Sequence, residues 1–278
     1  KGLGNRDSTH YRNIATVIQP SSSYQALTDK NGEVIDSLLY FTSTYMSDIE
    51  GLYFIGNYRV ACAIRGATTG ILCGTIKNCI FKEFYFAGIA IHGSEFGTIK
   101  RNYMYNCGVG VWAVARALNI SNPLDHSGAT FNTCNLTWIE SNYIIRCNYG
   151  IVFYSGSDIH ISYNCISYSS TYSIYGMAGS NLCVIHENYF EGSGESRVWV
   201  TNGGLLGNLE NTTTVDYLLQ SHKGEHNEDV VGWGVRTKIS SDSPMIRPII
   251  YIYNTNNSGN YKVSNNFISG GLDAKTYR

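Results

Sequence analysis

The sequence predicts an all-β solenoid, a chain wound into coils whose short strands stack in parallel. Three observations predict it. A six-residue unit recurs along the chain, a short alternating run follows each copy, and no stretch offers a capped 3.6-residue apolar stripe. The unit is an aliphatic residue, two variable positions, Asn, one variable position and a second apolar residue. It reads Ile99–Met104 around Asn102, Ile139–Ile144 around Asn142, Ile161–Ile166 around Asn164, Ile185–Phe190 around Asn188 and Val263–Ile268 around Asn266. A looser copy, Thr75–Ile80, places Asn78 at the Asn position. The Asn spacing is 24 residues from 78 to 102, 22 from 142 to 164 and 24 from 164 to 188.

The second element is Gly88–Ile91, Gly110–Ala113, Gly150–Phe153 and Ser173–Tyr175, each with the two-residue period of a strand. Short strands at this repeat describe coils that each give one rung to about three parallel sheets, ~4.8 Å apart. Aliphatic residues face inward. Asn suits the turn because it tolerates left-handed geometry and bonds its own backbone, and stacked amides form a ladder. An antiparallel sandwich would not keep the Asn in phase.

One domain over residues 1–278 is expected, with coils over 46–270 and the first 45 residues as a lead-in or cap for the open end. The period breaks twice, for insertions near 115–134 and 192–248. The chain starts Lys1-Gly2 with neither Met nor a signal-like apolar run, so it is expected to be a piece of a longer protein.

Hydrophobic residues at 43% supply a sizeable core, and charged residues reach only 15%. A net charge of -1 gives no electrostatic footprint for nucleic acid. No window approaches ~18 consecutive apolar residues, so no membrane insertion is expected. The eight cysteines include no C-x-x-C pair and no zinc-ligand spacing with His. They read as unbridged, mostly buried thiols. Cys107 and Cys147 fall in phase, as do Cys79 and Cys165 when Asn78 is taken as the repeat Asn.

On the I-x-x-N-x-I and G-I-x-I elements, the chain from Ile49 to Ile268 resembles the right-handed parallel β-helix proteins of the pectate-lyase-like superfamily. Long polar insertions, high Tyr, Asn and Ser content and the fragment-like start resemble bacteriophage tailspikes and their capsule or O-antigen depolymerase domains. The resemblance implies a homotrimer and a bacterial polysaccharide substrate, and no cofactor is expected. It implies a virion tail made in the host cytoplasm, or alternatively a secreted bacterial protein. Neither the calcium-binding Asp cluster of pectate lyases nor the close Asp pair of polygalacturonases is found, which puts those enzymes in doubt.

Alignment on the Asn sorts outward side chains into vertical rows. One row reads Lys100, Glu140, Ser162, His186, and the next Thr98, Trp138, His160, Val184. On the G-I-x-I sheet the rows are Ala90, Trp112, Val152, Tyr175 and His92, Val114, Tyr154, Met177; a third sheet shows Tyr103, Tyr143, Cys165, Tyr189. Outward aromatics on a rigid ladder suit the apolar faces of sugar rings. Trp112, Trp138, Tyr154, Tyr175 and His92 are the candidate substrate-binding residues, or else they pack under an insertion or against a neighbouring subunit.

Glu140, His160, His186, Lys100 and Glu191 are the candidate catalytic residues, or else solvated surface charges. Glycoside hydrolysis needs two carboxylates, Glu140 with Glu187, Glu191 or Glu195. β-Elimination needs a base such as His160, His186 or Lys100 and a cation facing the uronate carboxylate. The run Ser221–Asp229, with Trp233 and Arg236, and the residues Arg116, Asp125 and His126 are overhanging substrate contacts or plain solvated loops. The reading is a polysaccharide depolymerase, hydrolase or lyase. The alternatives are a non-catalytic binding or shaft module of a trimeric fibre, and a bacterial carbohydrate-active enzyme of no phage origin.

Overall fold

The computed structural model describes residues 16–28, 34–114, 134–202, 222–223, 229–230 and 248–269, apart from 44, 47, 68–69, 155–157, 170–171, 179–181, 192–194 and 255–259. The described residues contain strands and turns and no helix. Among the described residues three long sheets run along the solenoid, with eight, seven and eight strands. A single coil visits them in order. Ala87–Ile91 lies in sheet 1, Thr98–Lys100 in sheet 2 and Tyr103–Tyr105 in sheet 3, and the chain then rejoins sheet 1 at Val109–Val114. All pairing within these sheets is parallel, as in Ile99 opposite Ile139 and Ile139 opposite Ile161.

Inward positions form one continuous core. Ile89, Val111, Ile151 and Ile174 from sheet 1 meet Ile99, Ile139, Ile161 and Ile185 from sheet 2, with Met104, Ile144, Ile166 and Phe190 from sheet 3; all are at zero exposure. Each such side chain contributes about 1.5–3 kcal/mol by leaving water. The glycines that open three of the sheet 1 runs, Gly88, Gly110 and Gly150, reflect close approach between coils. A Cβ on Gly150 would meet the Ser173 carbonyl oxygen at 2.4 Å, and one on Gly110 would meet the Gly150 carbonyl oxygen at 2.6 Å.

The repeat asparagines line the corner between sheets 2 and 3, and their role differs from the expected one. The left-handed residue is the one before each Asn: Arg101, Ser141, Tyr163, Glu187 and Asn265, with φ between 54° and 57°. The Asn itself turns inward and bonds along the axis. The Asn164 Oδ1 accepts from both the backbone N–H and the Nδ2 of Asn142, each at 3.0 Å. The Asn164 Nδ2 donates to the Ile139 carbonyl at 2.8 Å and to the Asn188 Oδ1 at 3.0 Å. The same bonds join Asn102 to Asn142 and Asn188 to Asn266. Only an amide both donates and accepts in this way, and that selects Asn.

The register also corrects the first copy of the repeat. Lys77 pairs with Lys100, so Cys79 and not Asn78 occupies the ladder position, and its N–H donates to the Asn102 Oδ1 at 3.0 Å. Asn78, at φ 53°, takes the left-handed place. Cys79 and Cys165 therefore do not stack. Cys165 pairs with Tyr143 and Tyr189 in sheet 3.

Rungs begin before residue 46: Thr16–Ile18 extends sheet 3 and Ser37–Phe41 extends sheet 1. Asp36 ties this end down. Its Oδ1 accepts from the Tyr24 hydroxyl at 3.0 Å and the Ala61 N–H at 3.1 Å, while the Tyr85 hydroxyl bonds its other oxygen. At the far end Glu195–Asn202, inside the span read as an insertion, joins sheet 1 parallel to Pro248–Asn254. That later strand lies between it and Tyr172–Ala178. The rest of this insertion, apart from an antiparallel pair at His222–Lys223 and Asp229–Val230, lies outside the described residues, as do residues 115–133 with Arg116, Asp125 and His126.

All eight cysteines are free thiols, six of them buried. Burial pushes the Cys62 and Cys134 thiols up to about 12 and the Cys79 thiol to about 11. These groups stay neutral in the fold at pH values where an unfolded thiol, at about 8.5, has ionised. The unfolded chain then binds fewer protons, so stability falls as pH rises from about 8.5 toward 12. Denaturant titrations across this range should show the decline, and Cys62→Ala should flatten it.

The ladder yields a second prediction. Asn164→Ala leaves the Asn142 N–H and the Ile139 carbonyl without their partner and should destabilise by about 3 kcal/mol or more. Asn266→Ala, at the partly exposed end of the ladder, should cost distinctly less. Equal midpoint shifts in chemical denaturation would argue against the ladder as the seam between coils.

Candidate functional site

The outer face of sheet 2 is a partly exposed surface on which the register sets ionisable and aromatic groups side by side. Lys100, Glu140, Ser162 and His186 form one row, and Thr98, Trp138, His160 and Val184 the next. These are the rows read from the Asn spacing. The Lys100 Nζ lies 3.9 Å from the Glu140 Oε1, with both side chains about one-third exposed. The Trp138 and His160 rings stack at 5.8 Å and 13° on adjacent rungs. Ser162 is small and buried between Glu140 and His186, which stand two rungs apart, ~9.6 Å.

The corner beside this face adds Tyr163, which the sequence reading did not single out, and Glu187, which it offered as a second carboxylate for hydrolysis. Tyr163 and Glu187 both hold the left-handed place, where the side chain is thrown outward, and both are exposed. The hydrogen bond to Glu187, followed by its charge, raises the Tyr163 hydroxyl above the ordinary phenol range. His186 places its Nδ1 3.4 Å from the Glu187 Oε2 and its ring edge-on to Tyr163 at 5.7 Å. The available signal was the position before the Asn, which forms an outward row of its own.

Other candidates stand elsewhere. Glu191 belongs to sheet 3, opposite Ser167, and its carboxylate accepts from the Tyr168 hydroxyl at 3.3 Å; it is not part of the Glu140 row. Trp112, Tyr175 and His92 were expected to offer rings to solvent, and this is corrected: all three are fully buried. Trp112 packs edge-on against His92 at 5.1 Å and Phe86 at 5.8 Å, and Tyr175 packs against Tyr172 and Tyr149. Strand alternation tells which side chains leave the coil, and here those side chains build a second buried layer. Tyr154 pairs through its backbone with Val114 and Met177, and its side chain lies outside the described structure.

Partly exposed aromatic surface lies on sheet 3 instead. Tyr103 stacks on Tyr143 at 6.2 Å, and Tyr189 on Phe267 at 5.4 Å. Among the described residues no group of three or more His, Cys, Asp and Glu side chains is placed to hold a metal ion, and no helix is long and apolar enough to cross a membrane.

A family model for the right handed beta helix region matches residues 37–204, from the first residue of a sheet 1 strand to just beyond Asn202. The chain belongs to the right-handed beta helix family. No curated protein and no solved structure matches it. A right-handed beta helix is compatible with proteins that bind or degrade polysaccharides. In this one, the sheet 2 face and the neighbouring corner bring together two carboxylates, two imidazoles, an ammonium group, an indole and a phenol.

These groups add little to stability, because a part-exposed ion pair contributes at most about 1 kcal/mol. Lys100→Ala and Glu140→Gln should each shift the unfolding free energy by less than about 1 kcal/mol. A loss well above that in either variant would mark the pair as structural.

Proposed function

We propose that this right-handed beta helix binds and depolymerises a bacterial surface polysaccharide, as the cleaving domain of a trimeric tailspike-like fibre. The observation that carries the proposal is the sheet 2 face, where Glu140 and His186 flank Ser162 beside the stacked Trp138–His160 pair. Parallel rungs hold these side chains rigidly, as a preorganised site requires. The indole supplies apolar surface for a sugar ring, and the ionisable groups supply proton transfer.

Two chemistries fit this face. In β-elimination Lys100 neutralises a uronate carboxylate while His160 or His186 takes the α-proton. In hydrolysis Glu140 acts with Glu187, which sits two rungs further on. Two rungs set the pair ~9.6 Å apart along the axis, too far for the ~5–5.5 Å of a retaining pair, so the arrangement proposed is an inverting one.

The test incubates the protein with a panel of capsular and O-antigen polysaccharides. It follows chain length, reducing ends and the ultraviolet absorbance of an unsaturated uronate. Shortening with that absorbance identifies elimination, and shortening without it identifies hydrolysis. Glu140→Gln should lower turnover by ~10²-fold or more with folding intact. Full activity in that variant removes Glu140 from the chemistry. Binding without shortening assigns the chain to the non-catalytic binding or shaft class.

A further inference from the structure

From Tyr103 onward the aromatic row on sheet 3 is interrupted once, at Cys165. Reading up the row, Tyr103 pairs with Tyr143, Tyr143 with Cys165, Cys165 with Tyr189 and Tyr189 with Phe267. Each tyrosine beside the break is braced from behind by a near-parallel ring. Tyr143 stacks on Tyr103 at 17°, and Tyr189 on Phe267 at 9°. Between them stands Cys165, a short side chain that is only partly buried. Its sulfur lies 3.6 Å from the Ser167 hydroxyl.

We propose that the gap over Cys165 is a saccharide subsite that takes a single pyranose ring between Tyr143 and Tyr189. The inference rests on the reading that the chain binds a polysaccharide, and it adds a place around the Asn corner from the Glu140 row where one sugar unit is held.

The spacing argues for a sugar ring over a flat one. Two rungs separate the tyrosine positions by ~9.6 Å. Van der Waals contact on both faces takes up ~7–8 Å of that distance. The remaining ~2 Å leaves room for the pucker and axial substituents of a saturated ring, which a planar aromatic ring does not need. The C–H groups of a pyranose meet the tyrosine faces while its hydroxyls need polar partners at the edges. Those edges are polar. Exposed Tyr163 and Glu187 lie on one side, at the corner before the Asn, and Tyr168 with its partner Glu191 lies on the other.

The thiol at the base of the gap supplies its own readout. Cys73 and Cys165 are the two partly exposed cysteines, and the other six are buried. The folded protein is treated with iodoacetamide, with and without methyl pyranosides of neutral, amino and uronic sugars. Alkylation at each cysteine is then followed by peptide mass spectrometry. At least one pyranoside should slow the reaction at Cys165 severalfold and leave Cys73 unchanged. In parallel, saturation-transfer NMR with the same glycosides compares the protein with Cys165→Tyr, which fills the gap and completes the aromatic stack, and with Tyr189→Ala, which removes one wall. Cys165→Tyr should abolish transfer to that glycoside, and Tyr189→Ala should weaken binding about three- to tenfold, the worth of one aromatic contact.

Equal alkylation of Cys165 with and without every glycoside overturns the subsite, and so does transfer that survives in Cys165→Tyr. If polysaccharides are still bound or shortened in either case, the polysaccharide reading stands without the slot. If none is, both fail.

Discussion

Successive coils are held in phase by the amide ladder that runs from Cys79 through Asn102, Asn142, Asn164 and Asn188 to Asn266, and each surface row inherits that phase. Each amide closes the polar groups of a corner that is otherwise buried, where an unmet donor or acceptor would cost about 1–3 kcal/mol. It also holds in place the residue before it, whose left-handed backbone costs about 1–2 kcal/mol for a side chain other than glycine. The outward row Arg101, Ser141, Tyr163 and Glu187 is a direct product of that geometry. The ladder on the inside and the exposed corner on the outside are two faces of one constraint.

From the same constraint come two kinds of outer surface. On sheets 2 and 3 the outward side chains are partly exposed, and small residues open space between larger ones: Ser162 between Glu140 and His186, Cys165 between Tyr143 and Tyr189. On sheet 1 the outward residues Ala90, Trp112, Val152 and Tyr175 form a buried layer of their own. Among the described residues, the partly exposed rows of ionisable and aromatic side chains therefore include those on the two sheets that meet at the Asn corner.

The parallel sheets, the in-phase asparagines and the order of residues within the rows could be read from the sequence, because a fixed repeat with inward aliphatics admits one register. The first copy of the repeat was misread by one residue, since Asn78 sits beside the ladder and Cys79 within it; sequence spacing cannot separate an Asn chosen for its backbone from one chosen for its amide. Burial of Trp112, Tyr175 and His92 was not legible either. A two-residue period reports which face of a strand a side chain takes and carries no information on what lies against that face. Tyr163 was missed because an exposed left-handed position has no fixed residue type, and its contact with Glu187 comes from the next coil.

Placing polysaccharide on the surface around the Asn corner is tested most directly by hydroxyl-radical footprinting, with and without a polysaccharide that the protein binds. Trp138, Tyr143, Tyr163 and Tyr189 should be oxidised in the free protein and protected on binding, while buried Trp112 and Tyr175 stay unreactive in both states. Protection confined to other surfaces, with these four unchanged, would contradict it.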